Sequence, residues 1–510
     1  MAANLKLNNK VCFVHVSREG KNPSIKLMPR GMIGIADYLS KNSFKPSIIH
    51  LGLEKSLNPS FDLKNFVISR GYWAVLFDLH WYQHTYEVLE AIKYLKRGIK
   101  KITVIVGGMT ASLFATEIMR TYKEIDFVIK GDAEIPLLAL LNSIRSKSPE
   151  GLRLIPNLVW RDGEGIVENP HTYVAGKAII NRLSYANFKL IRNHDKYIRF
   201  FSMDLNNKDS EPIFYYTASR GCVRSCSFCG GGCSAQKNIN KRSKIVFADV
   251  KYVIKDLKRL KKYNINKLHM YAVSQNDAYF MDLFKEIRKN KIDLTINFGD
   301  CRLSTKVFID EFAKTFQRGS IISIFLESGS RKIRKMNKEA GYSNNEILEI
   351  LLYANKKNLK LCLSFSAGLP FETKKNIYET LKFINSIRNR LANVEIRQDS
   401  TAIDPASPLF LYPEKYGVLS KVNSLKDFYN FSKSNLSVIP YCTEFFSEAD
   451  ISEILKLYHS EIYCIYKKSK YLAALTQSRL MVDNLNLNLW RGFCRECGQY
   501  NRCFNSNSKQ

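Results

Sequence analysis

The sequence predicts an α/β protein made of two successive parallel sheets, a doubly wound sheet and then a partial barrel, followed by a mainly helical region. Two observations carry this. Short, continuously apolar segments alternate with amphipathic ones over residues 1–145, and the alternation restarts at 211 after a stretch where it weakens. Apolar strands separated by helices mark parallel sheets covered on both faces.

In the first alternation VCFVHVS (11–17), PSIIHLG (46–52), WAVLFDL (73–79), KITVIVGG (101–108) and IDFVIKG (125–131) read as strands. Helical patterns at Gly31–Asn42, Thr85–Lys96 and Ala111–Thr121 lie between them. Such a sheet takes ligands at the carboxyl ends of its strands. Gly107-Gly108 stands at one of those ends, where the missing Cβ lets backbone come close to a ligand. Residues 146–210 read as a connector, with a small hairpin in LIPNLVWRDGEGIVENP (154–170) around a Gly-centred turn. The second alternation supplies IFYYTAS (213–219), KLHMYAV (267–273), LTINFGD (294–300), IISIFLES (321–328), KLCLSFSAGLP (360–370) and VEIRQDSTA (394–402), each followed by an amphipathic helix. Six βα units predict a partial (β/α)6 barrel over 211–410, with its chemistry on loops at the strand carboxyl ends. Residues 411–510 read as mainly helical, ending in a polar tail.

Composition narrows the classes. With 45% hydrophobic and 25% charged residues, the chain is neither disordered nor fibrous. No run of about 18 uncharged apolar residues predicts a membrane-spanning helix. The start, MAANLKLNNK, has no apolar signal core, so a cytoplasmic location is expected. Lys and Arg outnumber Asp and Glu by 78 to 47, a net +31 that raises the question of an anionic partner. Where the charge can be placed it lies on solvated helix faces. Lys255, Lys258, Arg259, Lys261 and Lys262 run beside Val253, Ile254, Leu257 and Leu260 at helical spacing. A nucleic-acid partner is therefore not expected.

The twelve cysteines are informative by spacing. A cytosolic chain keeps thiols reduced, so they do not form a disulfide framework. Cys12, Cys301 and Cys362 stand alone in apolar runs and read as small core residues. Cys222, Cys226, Cys229 and Cys233 cluster, as do Cys494, Cys497 and Cys503. Cys222, Cys226 and Cys229 lie on the loop RGCVRSCSFCGGG directly after IFYYTAS. Three thiolates on one glycine-rich loop can hold three irons of a 4Fe–4S cluster and leave the fourth iron open. Zinc sites usually take four ligands in paired short spacings, which this loop lacks.

The CxxxCxxC loop after a first barrel strand, with the aromatic Phe228 before its third cysteine, resembles the radical SAM superfamily. That resemblance implies a 4Fe–4S cluster on Cys222, Cys226 and Cys229. It also implies that the open iron chelates the amino and carboxylate groups of S-adenosylmethionine, which one-electron reduction cleaves to a 5′-deoxyadenosyl radical. It further implies that Glu327, in FLESGS, accepts from the ribose hydroxyls, and that Gly368-Leu369-Pro370 forms the adenine-side turn. Asp404-Pro405-Ala406-Ser407-Pro408-Leu409 resembles the exit from the sixth strand. The family's glycine–glycine–glutamate element after the second strand is absent; Ser274-Gln275-Asn276-Asp277 stands there.

The N-terminal domain, with GGMTAS (107–112) and KGDAEIP (130–136), resembles the Rossmann-like cobalamin-binding domain of cobalamin-dependent radical SAM enzymes. The carried-over positions are Gly107, Gly108, Thr110, Ala111, Gly131 and Glu134, which the resemblance places around cobalamin. Cobalamin-dependent mutases take a lower axial histidine from Asp-x-His-x-x-Gly after the first strand. Here that loop is Ser17-Arg18-Glu19-Gly20, and Asp78-Leu79-His80 follows the third strand instead. His80, Trp81 and His84 are expected near the corrinoid face or the substrate channel rather than on cobalt.

Cys494, Cys497 and Cys503 resemble part of the ligand set of auxiliary-cluster domains, with Cys442 or Cys464 as possible further ligands and unliganded thiols as the simpler reading. The resemblance as a whole implies methyl transfer from cobalamin to an unactivated carbon of a small-molecule or peptide substrate, the cofactors supplying the hard chemistry. A flavodoxin- or ferredoxin-type electron donor is implied with it. Two alternatives stand beside this: a cyclase, oxidase or rearrangement enzyme using the same cofactors, or an RNA-modifying enzyme. Methylthiotransferases of transfer RNA carry three cysteines in the N-terminal domain, whereas residues 1–145 hold only Cys12. Tyr271, Asn297 and Arg397 are expected to line the barrel without naming a substrate.

Overall fold

The first alternation forms one seven-stranded sheet in a computed structural model that describes residues 8–17, 27–200, 212–272, 277–391, 394–434 and 441–466. Its strands are β1 (Lys10–His15), β2 (Lys45–His50), β3 (Ala74–Asp78), β4 (Thr103–Gly107), β5 (Phe127–Ile129), β6 (Leu158–Asp162) and β7 (Gly165–Glu168), in the order β2-β1-β3-β4-β5-β6-β7. From β2 to β5 all neighbours are parallel. In β1 every residue after Lys10 is buried, as a strand covered on both faces requires.

The hairpin expected inside the connector belongs to this sheet. β6 runs antiparallel to β5, pairing Phe127 with Trp160 and Ile129 with Leu158. β5 has only three residues, and the buried Leu158, Val159 and Trp160 extend the sheet past its short edge. The rest of the connector is pinned by two buried carboxylates. Asp37 accepts the Ser184 N–H at 2.8 Å, and Asp256 accepts the Tyr185 N–H at 2.9 Å.

The second alternation gives six parallel strands, β8 (Ile213–Tyr216), β11 (Lys267–Ala272), β12 (Thr295–Asp300), β13 (Ile321–Glu327), β14 (Lys360–Ala367) and β15 (Val394–Ser400), in the order β15-β14-β13-β12-β11-β8. This is the expected partial barrel. A separate antiparallel pair, β9 (Ser219–Arg220) with β10 (Val246–Phe247), braces the segment between β8 and the first barrel helix. That helix, Val250–Lys262, buries Val253, Ile254, Leu257 and Leu260 and exposes Lys255, Lys258 and Lys262, as its spacing predicts.

Beyond the barrel, β16 (Val418–Ser420) and β17 (Tyr441–Thr443) pair antiparallel, so the region after 410 is not purely helical. The helix Leu425–Ser434 returns to the first domain. Ser432 Oγ accepts the Tyr86 N–H at 2.9 Å, and the Tyr429 hydroxyl donates to Glu90 at 2.9 Å. Residues Met1–Lys456 form one compact unit and Leu457–Gln510 a second, of which only the end of helix Glu448–Tyr466 is described. Cys494, Cys497 and Cys503 lie outside the described residues, as does the side chain of Cys464. No helix among the described residues is long and apolar enough to cross a membrane.

Candidate functional site

The cysteine loop leaves β9 through Gly221, whose φ of 93° suits glycine and whose Cβ would lie 3.0 Å from Arg242 Cδ. It is clamped on two sides. Ser227 Oγ donates to Asn337 Oδ1 at 2.7 Å, the Ser227 carbonyl accepts the Leu409 N–H at 2.9 Å, and the Gly230 N–H donates to Asp404 at 3.1 Å. A Cβ on Gly230 would meet the Pro405 carbonyl at 2.7 Å, so the loop can press this close only as glycine. The helix Cys233–Asn240 follows at once.

Cys222, Cys226 and Cys229 share this loop and lie within electrostatic reach of one another; Phe228 stands half-buried between the last two. Burial pushes the Cys226 thiol up to about 12 and raises Cys222 and Cys229 as well. Ligation therefore has to displace protons. A 4Fe–4S cluster spreads its thiolates over separate irons, and this loop fits it.

At the end of β13 the backbone bulges and Glu327 takes φ 67°. A non-glycine residue there marks a conformation imposed by its surroundings. Lys338 Nζ lies 3.0 Å from one oxygen of Glu327, and Ser366 Oγ donates to the other at 2.6 Å. Lys338 also bonds the Phe325 carbonyl. A carboxylate with two partners keeps lone pairs for a diol. At the end of β14 the N–H groups of Gly368 and Leu369 point into buried Glu372, at 3.1 and 3.3 Å, and Tyr441 donates to the Gly368 carbonyl at 2.7 Å. This turn is a rigid wall whose own polar groups are taken up. Ser274, Gln275 and Asn276 lie outside the described residues, while Asp277 is held by Arg302 and by Thr305 Oγ1 at 2.9 Å.

Sequence reasoning missed Lys338, Arg334 and Arg302. With Cys301, Phe325 and Tyr342 they line a small pocket beside the cysteine loop. The segment RKIRKMNK (331–338) looks like an exposed basic helix, yet Arg334 and Lys338, four residues apart on one face, are both buried. That spacing beside Ile333 was the available signal.

The carboxyl edge of the N-terminal sheet carries the second candidate site. Gly108 has φ 111°, and a Cβ there would meet His80 N and the Leu79 carbonyl at 2.8 Å. Thr110 Oγ1 donates to the His80 carbonyl at 3.0 Å, and the Ala111 N–H to that of Leu79 at 3.1 Å. Thr110 and Ala111 are buried, so the Gly107–Ser112 segment fixes the loop carrying His80 and Trp81. Burial holds His80 down at about 4, neutral at ordinary pH. The buried Trp81 Nε1 and Gln83 Oε1 have no hydrogen-bond partner among the described residues, as expected where a polar ligand completes a site. The residues fit a cofactor at this edge.

His15 and His50, also missed, end neighbouring strands in register. His15 Nδ1 is 3.0 Å from Asp78, and the ring of His15 lies 4.8 Å from that of His50 and 5.5 Å from that of His84. His84 thus packs inside a histidine cluster at the base of the loop. That both strands end on histidine was legible in KVCFVH and KPSIIH.

Gly131 and Glu134 lie at the end of β5, against the segment that leads into the cysteine loop. A Cβ on Gly131 (φ 65°) would meet His171 Nε2 at 2.7 Å. Glu134 is fully buried, with Oε1 2.6 Å from Arg220. Both contribute to the seam between the two sheets, and the Glu134 carboxylate is committed there to a charge partner. Nearby, Met109 and Leu113 of helix Met109–Leu113 pack against Ala235, Ile239 and Ala406, which joins the glycine turn to the helix after the cysteine loop.

Residues 216–384 match the model of the Radical SAM superfamily. An uncharacterized methyltransferase of Pyrococcus horikoshii is 22% identical over 307 residues, 59% of this chain and 62% of that protein. The tRNA-2-methylthio-N(6)-dimethylallyladenosine synthase of Buchnera aphidicola is 22% identical over 310 residues, 58% and 61% of the two chains. The chain thus spans about three fifths of the length of these curated relatives. Two solved structures share the fold. The radical S-adenosylmethionine methyltransferase TsrM from Kitasatospora setae, with cobalamin and a [4Fe-4S] cluster bound, superimposes with TM-score 0.63 at 15% identity, covering 82% of this chain and 81% of that one. The cobalamin-dependent S-adenosylmethionine radical enzyme OxsB, with aqua-cobalamin bound, gives TM-score 0.65 at 13% identity, covering 93% and 71%.

Proposed function

We propose that this chain, which carries a radical SAM domain over residues 216–384, is a cobalamin-dependent radical SAM methyltransferase acting on an unactivated carbon of a small-molecule or peptide substrate. The observation that carries the reading is the helix contact just described. It brings the glycine turn of the N-terminal sheet against the helix that leaves the three-cysteine loop, the adjacency that this reading requires.

When bound, the cluster supplies the electron that cleaves S-adenosylmethionine, and the corrinoid carries the methyl group. The protein's part is placement. Cys222, Cys226 and Cys229 hold the cluster on a loop fixed by Asn337 and Asp404. Phe228, Glu327 and the Gly368-Leu369 turn border the S-adenosylmethionine space, with Lys338 orienting the Glu327 carboxylate. Gly107, Gly108, Thr110 and Ala111 shape the corrinoid side and seat His80 and Trp81 toward it. Neutral His80 contributes a packing surface there. A flavodoxin- or ferredoxin-type donor would reduce the bound cluster by that one electron.

Retention of cobalamin tests this reading. The anaerobically purified chain should carry about one equivalent through gel filtration. Gly108→Val, which puts a side chain into the Leu79–His80 backbone, should lose it while keeping its iron. No retained cobalamin in the wild-type chain would sink the proposal.

The alternatives are a non-methylating radical reaction with the same cofactors and RNA modification. The Buchnera relative's name favours the latter. Against it, Cys12, the one cysteine of residues 1–145, is buried in β1 and offers no second three-thiol site.

A further inference from the structure

Four charged side chains meet between the two sheets almost out of solvent. Arg220, two residues before Cys222, donates Nη1 to Asp132 at 2.8 Å and sets Nη2 2.6 Å from Glu134. Arg242 donates to Asp132 and, at 3.0 Å, to the Ala175 carbonyl. Asp132 also accepts the Ala175 N–H at 2.8 Å. The Arg220 side chain is 15% exposed, Asp132 10%, Arg242 3% and Glu134 0%. The formal charges cancel, two against two.

Buried ion pairs are a poor means of adding stability, because well-packed apolar residues of similar volume commonly hold as well or better. What a guanidinium fork adds is direction, since its donors lie in one plane at fixed spacing. Here the Arg220 guanidinium donates a hydrogen bond to Asp132 and sits in charge contact with Glu134, two carboxylates of the turn Gly131–Glu134 at the end of β5. Its stem is the residue pair that leads into the first cluster cysteine. Gly131 keeps the turn tight, because His171 occupies the space a side chain would need. These contacts tie the end of β5 to the stem of the cysteine loop.

We propose that Arg220 is a positioning residue. Bridging Asp132 and Glu134, it sets the distance and angle between the cysteine loop and the carboxyl edge of the N-terminal sheet. Its purpose rests on the function proposed above, in which cluster, substrate and corrinoid must line up; a shift of about 1 Å can cost on the order of a hundredfold in rate.

The test uses the full chain. Arg220→Met combined with Glu134→Met removes one charge of each sign and leaves Asp132 paired with Arg242, so no buried charge is stranded. Arg220→Lys keeps the charge but loses the fork. In hydrogen exchange of the cofactor-free protein, segments 131–134 and 219–224 should exchange about tenfold faster in the double variant, with the barrel strands unchanged. In the loaded protein, the dipolar distance distribution between cobalt(II) and the reduced cluster should be narrow in wild type and broad in both variants. Iron and cobalamin content should match wild type. A merely structural pair would lower the melting temperature and leave that distribution narrow. Unchanged exchange and an unchanged distribution in the double variant would overturn the proposal, and if that variant does not fold, Arg220→Lys decides by the same distribution. A chain that takes up no cobalamin defeats the proposed function, while the exchange experiment still judges the Arg220 bridge.

Discussion

Lys338 Nζ lies 3.0 Å from Glu327 Oε1, with both side chains almost wholly buried beside the cysteine loop. The ammonium sits close enough to Cys226 to pull that thiol down against the upward push of burial. One cation therefore serves a strand-end carboxylate and a thiol of the cysteine loop. It is delivered by the helix Arg331–Lys338, which follows Glu327 in the chain.

Lys338→Met should leave the Glu327 carboxylate buried without its charge partner, at a cost of about 3–5 kcal/mol. Adding Glu327→Gln removes the stranded charge and should recover more than half of that loss. Denaturant midpoints of the two variants check this; equal midpoints would show that the pair is not coupled.

Replacing Cys222, Cys226 and Cys229 together with alanine should abolish both cluster iron and formation of 5′-deoxyadenosine. Cys233→Ala, Cys301→Ala and Cys362→Ala should each keep the cluster. Iron analysis with product chromatography reads both, and cleavage surviving the triple replacement would remove the loop from the mechanism.

His80 is held neutral by burial, at about 4, and its loop is fixed by Gly108 and Thr110. The cobalt(II) electron paramagnetic resonance spectrum should lack nitrogen superhyperfine coupling from a protein imidazole and stay the same in His80→Ala. Coupling that disappears in His80→Ala would make this residue the axial ligand.

Burial raises Glu372 from an ordinary 4.5 to about 8. An acid whose folded pKa is raised contributes stability in full below its unfolded pKa and loses it as pH rises through the folded one. Wild-type stability should therefore decline from about pH 4.5 to 8 by this group alone. Glu372→Gln keeps an acceptor for the Gly368 and Leu369 N–H groups and should gain on wild type across that window. A stability difference that stays flat with pH would refute the assignment.

The parallel sheets were legible because strands such as KVCFVH and KLCLSFSA are mostly apolar and are buried at every position after the first, and the cysteine loop because three thiols at short spacing have few other uses. The hairpin at 158–168 was seen but misassigned, since strand pairing across the short β5 edge is not encoded near it. The charge partner of Glu134, Arg220, lies 86 positions further on in the chain, so its burial in an ion pair is not legible from the motif around it. Lys338 and Arg334 were hidden by a helix whose composition reads as solvated. Burial of a charge depends on which partner the fold brings to it, and local sequence does not carry that.

The central claim is tested most directly by mass spectrometry of the products of S-adenosylmethionine. The chain, reconstituted anaerobically with iron, sulfide and cobalamin, is reduced in the presence of candidate substrates. The account predicts that S-adenosylhomocysteine and 5′-deoxyadenosine both accumulate and that a methyl group appears on substrate carbon. Formation of 5′-deoxyadenosine without S-adenosylhomocysteine, in a chain loaded with cobalamin and given a substrate that is consumed, would contradict methyl transfer and leave a different radical reaction.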